Sequence, residues 1–158
     1  FRRVLFRSEE IVQPELFPDK YESGTHNTPG IAGLNQGILF IFERGINNIR
    51  QHEEELCQYM IDKLEEVPDI KIYGPKDSKK RASVIALNIG DMDSGEVTFL
   101  LDSDYNIATR SGIHCSPLAH TTLGTLKQGA VRFSIGYFNT KDEIDKAVEA
   151  LKKISKNK

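Results

Sequence analysis

Cysteine is scarce in this sequence: 158 residues contain two, Cys57 and Cys115. That excludes a disulfide framework, since a single bridge is the most the pair can form. A reduced, cytoplasmic protein is the simpler expectation. An excess of one charge sign is also missing. With 21 basic and 23 acidic residues the formal net charge is −2, which provides no broad basic face for nucleic acid. The one local run, KDSKKR, lies between two strand-like stretches and reads as a solvated turn. No apolar run approaches membrane-spanning length, and no secretory-type apolar core opens the sequence, so no membrane partner is expected. The spaced Cys/His pairs of a structural zinc site are absent too. An initiating methionine is lacking: the first eight residues, FRRVLFRS, have no clear partner in the rest of the chain. They are expected to be a foreign junction or the remnant of a truncation, with a short edge strand as the alternative.

What is present fills one domain with a core of its own. Residues 9–30 carry three prolines and many turn formers, the signature of an extended connecting segment. Thr28-Pro29 reads as an N-cap followed by proline at the first helical position. Ile31, Leu34, Ile38 and Ile41 then recur at helical steps. A break between Gly45 and Asn48 precedes a second helix with Leu56, Met60, Leu64 and Val67 on its apolar side. IKIYG and RASVIALNIG are short, β-branched and closed by glycines, as strands are. Asp93 with Glu96 forms a capping-box pair ahead of a helix running to about Asp102. YNIATR, residues 105–110, is a strand candidate. AVRFSIG alternates, with Val131, Phe133 and Ile135 on one face and Arg132 and Ser134 on the other. Thr140 with Glu143 is a second capping box, opening a helix whose Ile144, Ala147 or Val148, Leu151 and Ile154 face inward. The order predicts an α+β fold in which helices pack on one side of a mixed or antiparallel sheet.

Among the residues able to do chemistry, Cys57 lies on an amphipathic helix with no basic neighbour and reads as a buried structural thiol. Cys115 stands in RSGIHCSPLAH, where Gly112 and Pro117 are expected to keep the chain out of regular structure, and loops on a rigid scaffold are where reactive groups concentrate. Arg110 and His114 can each stabilise a thiolate there. A reactive thiol, an inert cysteine and a metal ligand all stay open on these residues alone. The metal reading is the weakest, because His114 and Cys115 are adjacent and His120 still leaves the set incomplete. His26 and the Thr25 hydroxyl, in GTHNTPG before a helix start, suit either an anion or plain turn and capping chemistry. Arg132 sits mid-strand between apolar neighbours, where an arginine fork fits a planar carboxylate or simply lies on a solvated sheet face.

The stretch RSGIHCSPLAHTTLGT, followed by GAVRFSIGYFNTKDEID, closely resembles the C-terminal part of cysteine desulfurases, which are pyridoxal-phosphate enzymes of the class V aminotransferase group. YESGTHNTPGIAGL is similar to the segment of that family linking its large and small domains. The resemblance runs from Glu9 to the end. It implies a small C-terminal domain at 31–158, including the interdomain helix, preceded by a linker at 9–30. By that resemblance, Cys115 is the sulfur-accepting nucleophile and Arg132 the binder of the substrate carboxylate. Arg110 helps to place the substrate or the cysteine loop. Thr25 with Gly24 contacts the cofactor phosphate of the neighbouring subunit. His114 precedes the cysteine as in many members, without a defined role, and His26 receives none. The implied partners are L-cysteine, a second subunit in a homodimer and a sulfur-acceptor protein. The Schiff-base lysine, the histidine that stacks on the cofactor ring and the aspartate that pairs with its nitrogen all belong to the large domain, outside the region of resemblance. The chain is therefore expected to represent the last two fifths of such an enzyme, to bind no pyridoxal phosphate alone and to be inactive alone. Three other functions remain: a standalone sulfur carrier, a non-catalytic dimerisation domain, and a fragment of a selenocysteine lyase or another class V aminotransferase.

Overall fold

The structure, a computed structural model, describes residues 15–18, 20–21 and 25–156. The edge strand considered for residues 1–8 and the position of Gly24 lie outside them. The chain divides into two units, residues 1–45 and 46–158.

In the first unit, helix α1 spans Thr28–Arg44. Its N-cap is Asn27 and not Thr28, because the Asn27 carboxamide accepts from the Gly30 N–H at 3.1 Å. Thr28 and Pro29 fall inside the first turn, where the missing proline N–H leaves no bond unmade. Gly45, at a φ of 80°, ends the helix and donates its N–H to the Ile41 carbonyl at 2.8 Å. The expected stripe of Ile31, Leu34, Ile38 and Ile41 is present, but all four are exposed and α1 buries none of its residues.

The second unit is built on a three-stranded antiparallel sheet in the order β1 (Ile70–Tyr73), β2 (Val84–Ile89), β3 (Val131–Ser134). Its register sets Ile72 opposite Leu87, Leu87 opposite Val131 and Ile85 opposite Phe133. Since successive side chains alternate across a sheet, these residues share one face. Three helices bury their apolar stripes against it in a single core: α2 (Ile46–Glu65) with Leu56, Cys57, Met60, Ile61 and Leu64, α3 (Ser94–Tyr105) with Val97 and Leu101, and α5 (Lys141–Lys156) with Ile144, Val148 and Leu151. Both capping signals act. Asp93 accepts from the N–H groups of Gly95 and Glu96. Thr140 and Glu143 exchange bonds reciprocally, Thr140 N–H to Glu143 at 3.0 Å and Glu143 N–H to the Thr140 hydroxyl at 3.4 Å.

Two further local expectations are corrected. Residues 105–110 form no strand. Helix α3 runs on to Tyr105, three residues past Asp102, and Asn106 turns left-handed at a φ of 54°. The Ile107 N–H then closes on the Leu101 carbonyl, so pairing is left only to Arg110, as an isolated bridge to Arg132. The second correction concerns Pro117. It opens a seven-residue helix, α4 (Pro117–Leu123), where irregular chain was expected. Proline at a first helical turn starts helices as readily as it ends them.

Candidate functional site

The core face of the sheet is closed by helices, and the candidate site lies on the other face. Arg132 shares that face with Val84, Ala86 and Ser134, and Ala86 is its cross-strand partner. Val131 and Phe133, on either side of it, are buried, and so the strand is anchored while the arginine points away. Arg132 is half-buried, and its Nε is fully enclosed without a hydrogen-bond partner. Leaving such a donor unpaired costs about 1–3 kcal/mol, more for a charged group.

Arg110 pairs directly with Arg132. Their N–H groups donate to each other's carbonyls at 3.2 and 2.8 Å. This is a hydrogen-bonded antiparallel pair, which sets both side chains on the same face about 5.5 Å apart at Cα. Like charges opposite one another are destabilising. The fork geometry of a guanidinium matches a carboxylate.

From Arg110 the chain turns sharply. Gly112 has a φ of 90°, and the Ser116 N–H bonds the Ile113 carbonyl at 2.8 Å, enclosing His114 and Cys115 at φ values of 51° and 59°. Two consecutive left-handed residues make this a type I′ turn. Neither is glycine, and each such residue costs of order 1–3 kcal/mol. The turn presents Cys115 to solvent. An Arg110 Nη2–H donates to Cys115 Sγ at 3.6 Å, the one charged group in contact with the sulfur among the described residues. Below the turn, His114 Nε2 lies 3.0 Å from the Arg110 carbonyl, which can only accept, so Nε2 carries the proton. The His114 ring lies 5.6 Å from that of His120, which is buried and bonded through Nδ1 to the Thr125 hydroxyl at 2.8 Å.

Burial holds the His114 imidazole below its ordinary value of 6.5, opposed by its bond to the Arg110 carbonyl and reinforced by the charges of Arg132, His120 and Arg110. The folded state therefore takes up its proton later than the unfolded chain, so stability present above that value is lost as pH falls below it. We expect urea-unfolding midpoints to drop between about pH 7 and about pH 5, and His114→Gln to flatten that drop. Glu143 and Asp145 are also held low, but their contributions are lost only below 4.5 and 3.8 respectively. An identical slope in the variant would remove His114 from the account.

The structure thus brings Arg110, His114, Cys115, His120 and Arg132 together. Thr25 and His26 belong to the other unit, exposed ahead of α1, and Asn27 performs the capping there. Cys57 is fully buried in α2, and burial pushes its thiol up, against the opposing charges of Arg81 and Arg50. Sequence reasoning missed Ser94, Gln128 and Gly129, which hold the root of the cysteine turn from 16 or more positions away in the chain. Of the three, only Gly129, a glycine at the mouth of a strand, carried a signal.

Comparison with known proteins bears on the family and the fold. Residues 5–147 match the family model for aminotransferase class-V. Over 139 residues the chain is 38% identical to a cysteine desulfurase of Escherichia coli O157:H7, covering 87% of this chain and 32% of the relative. The apo structure of a cysteine desulfurase from Thermococcus onnurineus NA1 superposes with a TM-score of 0.81 at 31% identity, over 89% of this chain and 34% of that one. The cysteine desulfurase CsdA of Escherichia coli, in S-sulfonic acid form, gives a TM-score of 0.74 at 28% identity, over 86% of this chain and 32% of its own. The chain spans about a third of the length of these relatives. With nearly its whole length matched in sequence and its fold shared with solved members, the chain belongs to the aminotransferase class-V family.

Proposed function

We propose that this chain is the cysteine-bearing C-terminal part of a cysteine desulfurase, converting L-cysteine and the Cys115 thiol to L-alanine and a Cys115 persulfide. The observation that carries this reading is the Arg132–Arg110 pair, with one buried donor unpaired and Cys115 Sγ 3.6 Å from Arg110. Arg132 binds the substrate carboxylate. Arg110 donates to the Cys115 sulfur and helps to place the substrate. Cys115 attacks the substrate sulfur: the new S–S bond forms as the substrate Cβ–S bond breaks, and Cβ takes up a proton to become the alanine methyl group. His114 keeps Nδ1 unprotonated at neutral pH, because Nε2 is committed to the Arg110 carbonyl.

Breaking the Cβ–S bond requires an electron sink, which pyridoxal phosphate supplies in the whole enzyme. The groups around the cysteine turn do not include the amine and carboxylate that would hold it. The groups in hydrogen-bond or ring contact with Arg110, His114, Cys115 and His120 are backbone carbonyls and N–H groups, the Ser116 and Thr125 hydroxyls and one another, with no lysine amine or carboxylate among them. In the same reading the protein is a cytoplasmic homodimer, Thr25 and Gly24 reach the cofactor phosphate of the neighbouring subunit, a sulfur-acceptor protein removes the persulfide sulfur, and the exposed stripe of α1 packs against the large domain.

A graft tests this proposal. Residues 28–158 replace the matching third of the Escherichia coli cysteine desulfurase. We expect the chimera to release alanine from L-cysteine and to carry sulfane sulfur on Cys115. The chain alone, given pyridoxal phosphate and L-cysteine, is expected to release none. A folded chimera that takes up pyridoxal phosphate yet releases no alanine would overturn the reading.

A further inference from the structure

The Cys115 turn is costly in backbone terms and exposed, and so something must hold it at its root. The root is Gly112, three residues before the thiol. The Gly112 carbonyl accepts from the Ala130 N–H at 3.1 Å, and its N–H donates to the Ser94 hydroxyl at 3.2 Å. That hydroxyl in turn donates to the Gln128 carbonyl at 2.7 Å. Ser94 is 3% exposed, at the first position of α3. A serine hydroxyl both donates and accepts, and here it joins the Gly112 N–H to the Gln128 carbonyl.

The far side of the link is rigid. The Gln128 side chain donates through Nε2 to the Gly90 and Met92 carbonyls at 2.8 and 2.7 Å, and its Oε1 accepts from Asn88 at 2.8 Å. Gln128 is thereby tied to the end of β2. Gly129 completes the joint. A Cβ there would lie 2.6 Å from Ser94 Oγ and 2.8 Å from Gly112 Cα, and its φ is 68°. The two backbones approach so closely that only glycine fits, and the hydroxyl sits in the gap.

We propose that Ser94 is a positioning residue for Cys115: it fixes Gly112 to the β2–β3 framework and thereby sets where Sγ meets the Arg110 guanidinium. The inference rests on the reading of Cys115 as the sulfur nucleophile. Without the hydroxyl, Gly112 loses one of its two anchors. The turn then relaxes away from its pair of left-handed residues, and the sulfur leaves Arg110.

The test is the rate of alkylation of Cys115 by iodoacetamide in the full chain at neutral pH, read peptide by peptide, with the buried Cys57 reporting any global opening. Ser94→Ala is expected to slow Cys115 about fivefold, because the sulfur then loses its contact with the Arg110 guanidinium and thiol reactivity depends on neighbouring positive charge. In an Arg110→Met background the same change should alter the rate less than about twofold, since the contact that Ser94 positions is already gone. A purely structural serine would instead act alike in both backgrounds. Gly129→Ala disrupts the same joint without removing the hydroxyl and should slow Cys115 in the same direction. Where Ser94→Ala opens the fold, seen as alkylation of Cys57, the Gly129→Ala cycle decides. A wild-type rate in the first background, or equal slowing in both, overturns the inference. The sulfur-transfer reading fails separately, when the chimera releases no alanine although Ser94→Ala still slows alkylation.

Discussion

Cys115→Ser in the chimera is expected to remove protein-bound sulfane sulfur completely and to reduce alanine release by a thousandfold or more, on the order of the loss when an enzyme loses its nucleophile. An alkoxide cannot take the place of the thiolate, because a serine hydroxyl stays protonated at neutral pH and its oxygen forms no stable bond to sulfur. The substitution is otherwise small. The turn at 113–116 is closed by backbone, and Arg110 keeps its pairing with Arg132, so the proposed carboxylate seat persists. Substrate should still bind, and the damage should fall on kcat with KM little changed. Cys57→Ala provides the contrast. Cys57 is fully buried in the α2 stripe, remote in character from a nucleophile, and its loss should lower stability while sulfur still accumulates at Cys115. Sulfane sulfur on the Cys115→Ser protein, or its loss in a folded Cys57→Ala protein, would move the nucleophile elsewhere.

Local signals in the sequence were strong wherever a residue's role depends on its near neighbours. The alternation through Val131, Phe133 and Ile135 is reproduced in burial, and the Thr140–Glu143 box closes as written, because each is settled within four residues. Errors arose where two local signals competed. Asn27 and Thr28 are both good caps, and the geometry of Gly30 decided between them. Residues 105–110 have the β-branched and aromatic character of a strand, but Asn106 and the closing bond from Ile107 spend the segment on ending α3. At the site, the nearness of Arg110 to Cys115 was legible from a five-residue spacing. Its pairing with Arg132 was not, since it comes from sheet register across 22 positions. Ser94 was invisible for the same reason: it looks like one more residue beside an N-cap, and only the approach of Gly129 to Gly112 gives it a task.

The contrast on β2 between the helix-packed face and the exposed Val84 position of the other face makes a second strong prediction. Leu87 is fully buried on central strand β2, opposite Ile72 on one side and Val131 on the other. Leu87→Ala removes three carbons from the middle of the single core, and buried leucine truncations cost about 2–5 kcal/mol. A domain of this size is stable by about 5–15 kcal/mol in total, so the loss is a large share of its stability. Val84 is on the same strand but faces the other way and is 37% exposed. Val84→Ala should cost less than about 1 kcal/mol, because much of the side chain already meets water. The comparison is read by urea unfolding, as a lower midpoint with an unchanged slope for Leu87→Ala and a nearly unchanged midpoint for Val84→Ala. Equal costs would mean that both faces of β2 are covered. The surface beside Arg132 at the Val84 end would then be closed to substrate, and the proposed role of Arg132 would fail. Leu87→Ala should also weaken the site at a distance, since Leu87 backs Val131 and Val131 precedes the arginine whose position the carboxylate must find.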